Sequence, residues 1–420
     1  MTRQRRGAGP ARCLLVAILG VALADSAVAA EADAARQQPL FVVHSVDGTT
    51  APGRLHSLSD GWSIALDGEK PARVRGSDFI ALRRLEAPSA APPSEAHLIL
   101  ANGDHIPGEA LELTQERLRI DADLGTKQPM QLSLDVVAAF WFQSGARPGD
   151  PAGARFRRRL LAERRRRDVV LLKNGDLVEG SLIRLDAKSL TIQSGPKKTI
   201  PVERDKVAAV ALNSDFMRSP RVKGAYAQLV LANGCRLSLA EAQVFGETLT
   251  GKTLFGVSVK VPVEQIIALD LLQGRAIYLS TLKPRRYEYT PFLGNDYHGF
   301  VADGNWEEAE LRLAGRTYDR GLGMHSKSTL TYDVPDGCRR FEALVGIDDG
   351  ADRGASAGIE VYVDGKRADL GWKNPVSRLD GPRTVRVDLP GAKELRLVVD
   401  WGRQGFVQGR VNWADARLVK

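Results

Sequence analysis

The side chains with most chemistry to offer gather near the C-terminus of this 420-residue chain: Trp306, Trp372, Trp401 and Trp413, an isolated His325, and the acidic group Asp348, Asp349 and Asp352. An indole face stacks on the apolar face of a pyranose, while neighbouring polar groups hydrogen-bond its hydroxyls. Trp372 and Trp401 border glycine-rich turns, and with Trp306 they are the candidates for such stacking. Trp413 lies in a regularly patterned terminal block and reads as core. His325 can donate to a sugar hydroxyl or serve as a structural hydrogen bond, and the sequence leaves both open. The three carboxylates are hard oxygen donors close in sequence, suited to calcium, though no calcium-loop motif surrounds them. A plain turn is the other use. Side chains adjacent on extended backbone point opposite ways, so Asp348 and Asp349 do not form the facing pair that glycoside hydrolysis requires.

Other constellations exclude more than they offer. The six histidines, at 44, 56, 97, 105, 298 and 325, show no zinc spacing and join no cysteine pair. Gly354-Ala355-Ser356-Ala357-Gly358 matches a nucleophile-elbow pattern, but a strand follows where a helix is needed. Cys235 and Cys338 specify no disulfide framework and read as two separate thiols. Between Ala152 and Arg167 stand eight arginines and one glutamate, Arg155 to Arg167. Such a cluster holds phosphate, sulfate or anionic lipid, or is simply a solvated spacer. The net charge is +8, of which the first 30 residues contribute +3, so the remainder is mildly basic and implies no nucleic acid.

The N-terminus predicts export. Arg3, Arg5, Arg6 and Arg12 precede an apolar run from Cys13 to Ala24, and Ala27 to Ala30 supply small residues for cleavage. That run is too short for an ordinary transmembrane helix, and no other stretch replaces it. A signal peptide over 1–30 and a periplasmic, cell-surface or secreted product are expected.

Short strands must position the C-terminal side chains. Leu330, Tyr332 and Val334 alternate with Thr329, Thr331 and Asp333, the period of a half-buried strand. Ile359, Val361 and Val363 repeat the pattern before an Asp364-Gly365 hairpin turn. The blocks "GLGMHSKSTLTYD", "VGIDD" and "NWADARL", in that order, resemble the NPCBM domain, a carbohydrate-binding module found beside secreted glycoside hydrolases. The resemblance covers 277–420. It implies a jelly-roll-like β-sandwich that binds sugar, of galactose type, often with a structural calcium. The family tends to carry Asp and His just before the closing Trp; here the stretch is Gly409-Arg410-Val411-Asn412-Trp413.

An internal repeat fills the preceding chain. Asp-Gly or Asn-Gly pairs begin at 47, 102, 174 and 233, each between apolar strand patterns. The copies span 38–86, 96–144, 168–214 and 222–275, with a basic linker over 145–167. They look like small Sm-like or SH3-like barrels, each marginal alone and expected to pack on its neighbours. The Asn-Gly pairs need no function, because type I′ turns require positive φ at both central residues.

The sequence therefore predicts an all-β chain, tandem barrel-like repeats followed by a β-sandwich. It predicts a secreted, non-catalytic carbohydrate-binding protein whose glycan or polysaccharide meets loops carrying His325, Trp306, Trp372 and Trp401. A glycoside hydrolase or its accessory subunit is one alternative, though the repeats leave no room for a barrel-sized catalytic domain. A structural, envelope-associated interaction protein is another.

Overall fold

The computed structural model describes residues 39–87, 96–114, 116–122, 124, 129–142, 158, 163–292, 294 and 297–420. The expected signal peptide and most of the basic linker, including Arg155, Arg157 and Arg159, lie outside them. The described chain is mostly strand, joined by loops and three-residue 3₁₀ turns. None of its helices is long and apolar enough to cross a membrane.

Strands from Leu40 to Leu272 join one 21-stranded antiparallel network. Its connections are nested. The strand ending the first repeat, Phe79–Arg84, pairs with the one ending the fourth, Ile266–Leu272, with Leu82 opposite Leu269. Likewise Val137–Trp141 of the second repeat pairs with Val207–Ala211 of the third, with Phe140 opposite Val210. An inner pair thus sits inside an outer pair. A single apolar cluster runs through all four repeats, from Phe41 to Leu271. No copy closes a core alone, as its size requires.

The repeat turns differ from expectation in an instructive way. Gly48, Gly103, Gly175 and Gly234 have φ near +81°, +88°, +92° and +83°, but the residues before them do not. The second turn closes with Leu100 N–H donating to Asp104 and Gly103 N–H to Leu100. This is a three-residue loop ending in a glycine bulge rather than type I′. The Asx side chain decides it: Asp47, Asn102, Asn174 and Asn233 each accept the amide of the residue two further on. At Asp364-Gly365 both residues do take positive φ, and a two-residue hairpin forms.

The C-terminal unit is a sandwich of two six-stranded sheets. One carries Gly321–His325 beside Arg410–Val419 and Arg340–Ile347; the other centres on Ser328–Asp333, Glu394–Trp401 and Ser356–Val363. The alternation read from the sequence is buried between them: Leu330, Tyr332, Ile359 and Val361 are at most 1% exposed. Trp413 is fully buried among them. Cys235 and Cys338 are both free and buried.

Repeats and sandwich are joined by buried polar contacts. Arg83 pairs with Asp270 at 2.5 Å and with Asp415 at 3.2 Å, and Tyr278 donates to Asp270 at 3.0 Å. Arg236 bonds Asp319 at 2.6 Å, and Arg320 donates to Gln228. Arg158, from the basic segment, donates to the carbonyls of Ala302 and Asp303. Arg165 is 7% exposed and donates to the Leu212 carbonyl. These two arginines thus bond to the chain's own backbone.

Candidate functional site

The strand Gly321–His325 turns into Ser328–Asp333 and passes from one sheet to the other. This crossing places His325 and Lys327 at one end of the sandwich. Gly323 makes the approach possible, since a Cβ there would run into the Gly304 carbonyl and Asn305. The loop carrying Trp306 therefore lies directly against the strand.

Rings from three segments meet there. Trp306 and His325 have centroids 4.8 Å apart, and His298 lies 5.1 Å from Trp306 and 5.2 Å from His325. Tyr289 adds an edge contact to His298 at 5.3 Å, and Tyr297, 70% exposed, rims the group beside Tyr287 and Tyr289. The Arg410 guanidinium lies 4.9 Å over the Trp306 ring and 3.4 Å from Glu307. This basin combines an indole with directional donors and acceptors, the two things a pyranose needs. Trp306 Nε1, Ser326 Oγ and Gln408 Oε1 are buried there without a protein partner.

Of the two roles left open for His325, its Nδ1 takes the structural one. Its Nδ1 lies 2.8 Å from the Ser326 carbonyl, which can only accept. Nδ1 must therefore carry the proton. Burial lowers the ring's pKa and keeps it neutral. Nε2 is left as an acceptor, so His325 can receive a sugar hydroxyl's proton but not donate to it.

Trp401 belongs to an adjoining platform. It is 38% exposed and makes an edge contact with Phe292 at 5.5 Å; Phe292 stacks on Phe406 at 4.8 Å. Lys327 Nζ lies 5.1 Å over the Trp401 ring and 3.5 Å from Asp400. Trp372 is not brought to either group. It packs half-buried against the sandwich core, with Nε1 buried and unpartnered. Sequence reasoning missed Phe292, Tyr289, Tyr297, His298, Phe406 and Arg410. The aromatic density of Tyr287-Glu288-Tyr289-Thr290-Pro291-Phe292, a signal for ring-rich loops, was the one available clue.

The three acidic residues do not converge. Asp349 accepts the amides of Ala314 and Gly315, and Asp352 is exposed. Among the described residues no group of three or more His, Cys, Asp or Glu is placed to hold a metal. Asp348 is fully buried; desolvation raises its pKa while Asn412, Gly350 and Asn305 hydrogen bonds oppose the rise. The Asn412 amide nitrogen sits 2.5 Å from Asp348 and 3.2 Å from the Arg312 carbonyl, while its Oδ1 is buried without a partner. A half-turn of that amide would bring a third oxygen to the same point. Asp348, Asn412 and the Arg312 carbonyl thus gather polar atoms more closely than the consecutive carboxylates do.

Residues 275–419 match the family described as the NPCBM/NEW2 domain. Among curated proteins, a Renibacterium salmoninarum protein provisionally named endo-alpha-N-acetylgalactosaminidase is 32% identical over 177 residues, covering 39% of this chain and 11% of its own length. Alpha-1,3-galactosidase B of Akkermansia muciniphila is 30% identical over 104 residues, covering 23% of this chain and 13% of its own length. The chain therefore spans only about a tenth of the relatives it matches. A solved CBM51 module from Clostridium perfringens GH95, in complex with methyl-galactose, is 25% identical with a TM-score of 0.30, covering 34% of this chain and 99% of that one. The C-terminal unit is an NPCBM-type carbohydrate-binding module, and its relatives are glycosidase-associated proteins.

Proposed function

We propose that this is an exported, non-catalytic glycan-binding protein whose sandwich holds a galactose-type sugar in the Trp306–His325 basin. The observation that carries the reading is the convergence of Trp306, His298, His325 and Arg410 at one end of the module. The sugar's apolar face stacks on an indole, while Nε2 of His325 accepts a hydroxyl proton. The Phe292–Trp401–Phe406 platform receives the next residue of the glycan. Methyl-galactose in the solved module, and the galactosidase among the relatives, support the sugar class. Calcium held by Asp348 and Asn412 would brace the loop beneath the basin. The repeats serve as the rigid base that presents the module.

Glycan-array and galactose-resin retention of the full chain tests this. Trp306→Ala should abolish retention while the chain stays folded by circular dichroism. Trp401→Ala should weaken long glycans more than the monosaccharide. Trp372→Ala should instead lower stability by about 3 kcal/mol, as a large-to-small change against a core does. Retention untouched by Trp306→Ala, or a blank array, would overturn the reading.

A further inference from the structure

A cavity of about 510 Å³ opens between the repeats and the sandwich, and none of the basin's rings lines it. Its size falls within the roughly 300–1,000 Å³ of small-molecule sites, which favour domain junctions. Val42, Leu85 and Ile267 from the repeats and Val385 from the sandwich give it apolar wall. Charged groups from both units face across it.

Their pairing leaves a surplus of one sign. Every lining carboxylate has an arginine partner: Asp270 and Asp415 share Arg83, Asp319 pairs with Arg236, and Glu342 with Arg417, so six lining arginines face four carboxylates. Arg84, Arg316 and Arg386 also line the cavity and have no carboxylate partner among the described residues. Arg84 and Arg386 spend donors on the carbonyls of Glu264, Asp47 and Gly48, while Arg316 is exposed at the wall. Such a site favours an anion, because low-dielectric walls concentrate the field of unneutralised cations. An arginine fork also matches a carboxylate or sulfate in shape.

The remaining polar groups suit hydroxyls. His44 stands on the repeat wall and Tyr318 on the sandwich wall, both partly buried. Burial, Arg417 and Arg83 together lower the His44 pKa to about 4, so at neutral pH the ring has one donor and one acceptor. The Tyr318 hydroxyl stays protonated, its pKa raised by burial. Apolar wall, two neutral hydrogen-bonding groups and unneutralised arginines together describe one ligand class.

We propose that this junction cavity is a second binding site, specific for a small saccharide bearing a carboxylate or sulfate. Arg316 takes the anionic group, His44 and Tyr318 take hydroxyls, and the ligand touches both units at once. The inference does not depend on the basin, which uses different residues.

Calorimetric titration of the full chain with glucuronate, galactose 6-sulfate, galactose and inorganic sulfate tests it. At least one acidic sugar should bind, tighter than inorganic sulfate. Arg316→Gln should weaken that binding at least tenfold, and Tyr318→Phe less. Trp306→Ala should leave it unchanged while abolishing galactose binding. Added salt should weaken it, since charge carries the recognition. Equal melting temperatures of wild type and Arg316→Gln would confirm an intact fold. Three results would each overturn the proposal: no acidic sugar binds; inorganic sulfate binds as tightly; or acidic-sugar binding survives Arg316→Gln and is lost in Trp306→Ala. Whether galactose follows Trp306 is read separately in the same series, so the two sites stand or fall independently.

Discussion

Acid should loosen this protein through one histidine, starting as the pH falls below about 6.5. His44 is pressed to a pKa of about 4, first by burial and then by Arg417 and Arg83, with Asp415 and Glu342 opposing. In the unfolded chain it returns to the ordinary value of about 6.5. The sign follows from proton binding. Between these values the unfolded state holds a proton that the folded state lacks, so stability falls as pH falls. The stabilisation is fully present above about pH 6.5 and is lost down to about pH 4. Linkage gives a loss of about 1.4 kcal/mol at pH 5.5 and about 3 kcal/mol at pH 4, upper figures because the ring keeps an edge on the cavity. Urea unfolding of wild type and His44→Gln at pH 7, 5.5 and 4 measures it. The wild-type stability should drop more steeply by these amounts, and the carboxylate contributions common to both should cancel. Parallel pH profiles would refute the reasoning and place the ring in a freely solvated setting.

Arg83→Met should cost about 3–5 kcal/mol in urea unfolding, because it strands the buried Asp270 with only the Tyr278 hydroxyl. Adding Asp270→Asn should recover part of that loss; a double variant as weak as the single would argue against the stranded charge. If calcium sits at Asp348, a chelator should lower the wild-type melting temperature and leave Asn412→Ala unmoved. Equal response of both proteins would exclude that set.

The all-β class and the sandwich were legible because strand burial writes a period of two into the chain, as at Leu330 and Tyr332 or Ile359 and Val361. The site was legible only in part. His325 lies in a block that the domain resemblance marks, Trp306 was chosen only as a tryptophan of the same domain, and the two meet. Trp372 stands at a similar glycine-rich turn, but its ring folds back onto the core, a choice that local sequence does not encode. Phe292 and Phe406 come from irregular loops more than a hundred residues apart, so no periodicity announces their stacking. The junction was invisible for the same reason. Arg83 and Asp415 are 332 residues apart, and nothing near either one names its partner. The Asn-Gly turns show the opposite failure, a strong local signal assigned the wrong geometry because the Asx side chain was left out of the reckoning.

The nested strand pairing also sets a timetable for synthesis. Phe79–Arg84 leaves the ribosome early, yet its partner Ile266–Leu272 is made only after the second and third repeats are complete. Meanwhile that apolar edge has unpaired N–H and C=O groups, the template on which strands of other chains add. The inner pair suffers no such delay, since its two halves are translated one after the other. A nascent chain halted after the third repeat would therefore carry a finished centre and an open flank. The fourth repeat acts as the molecule's latch, and cells making this protein must shield the waiting strand until it arrives.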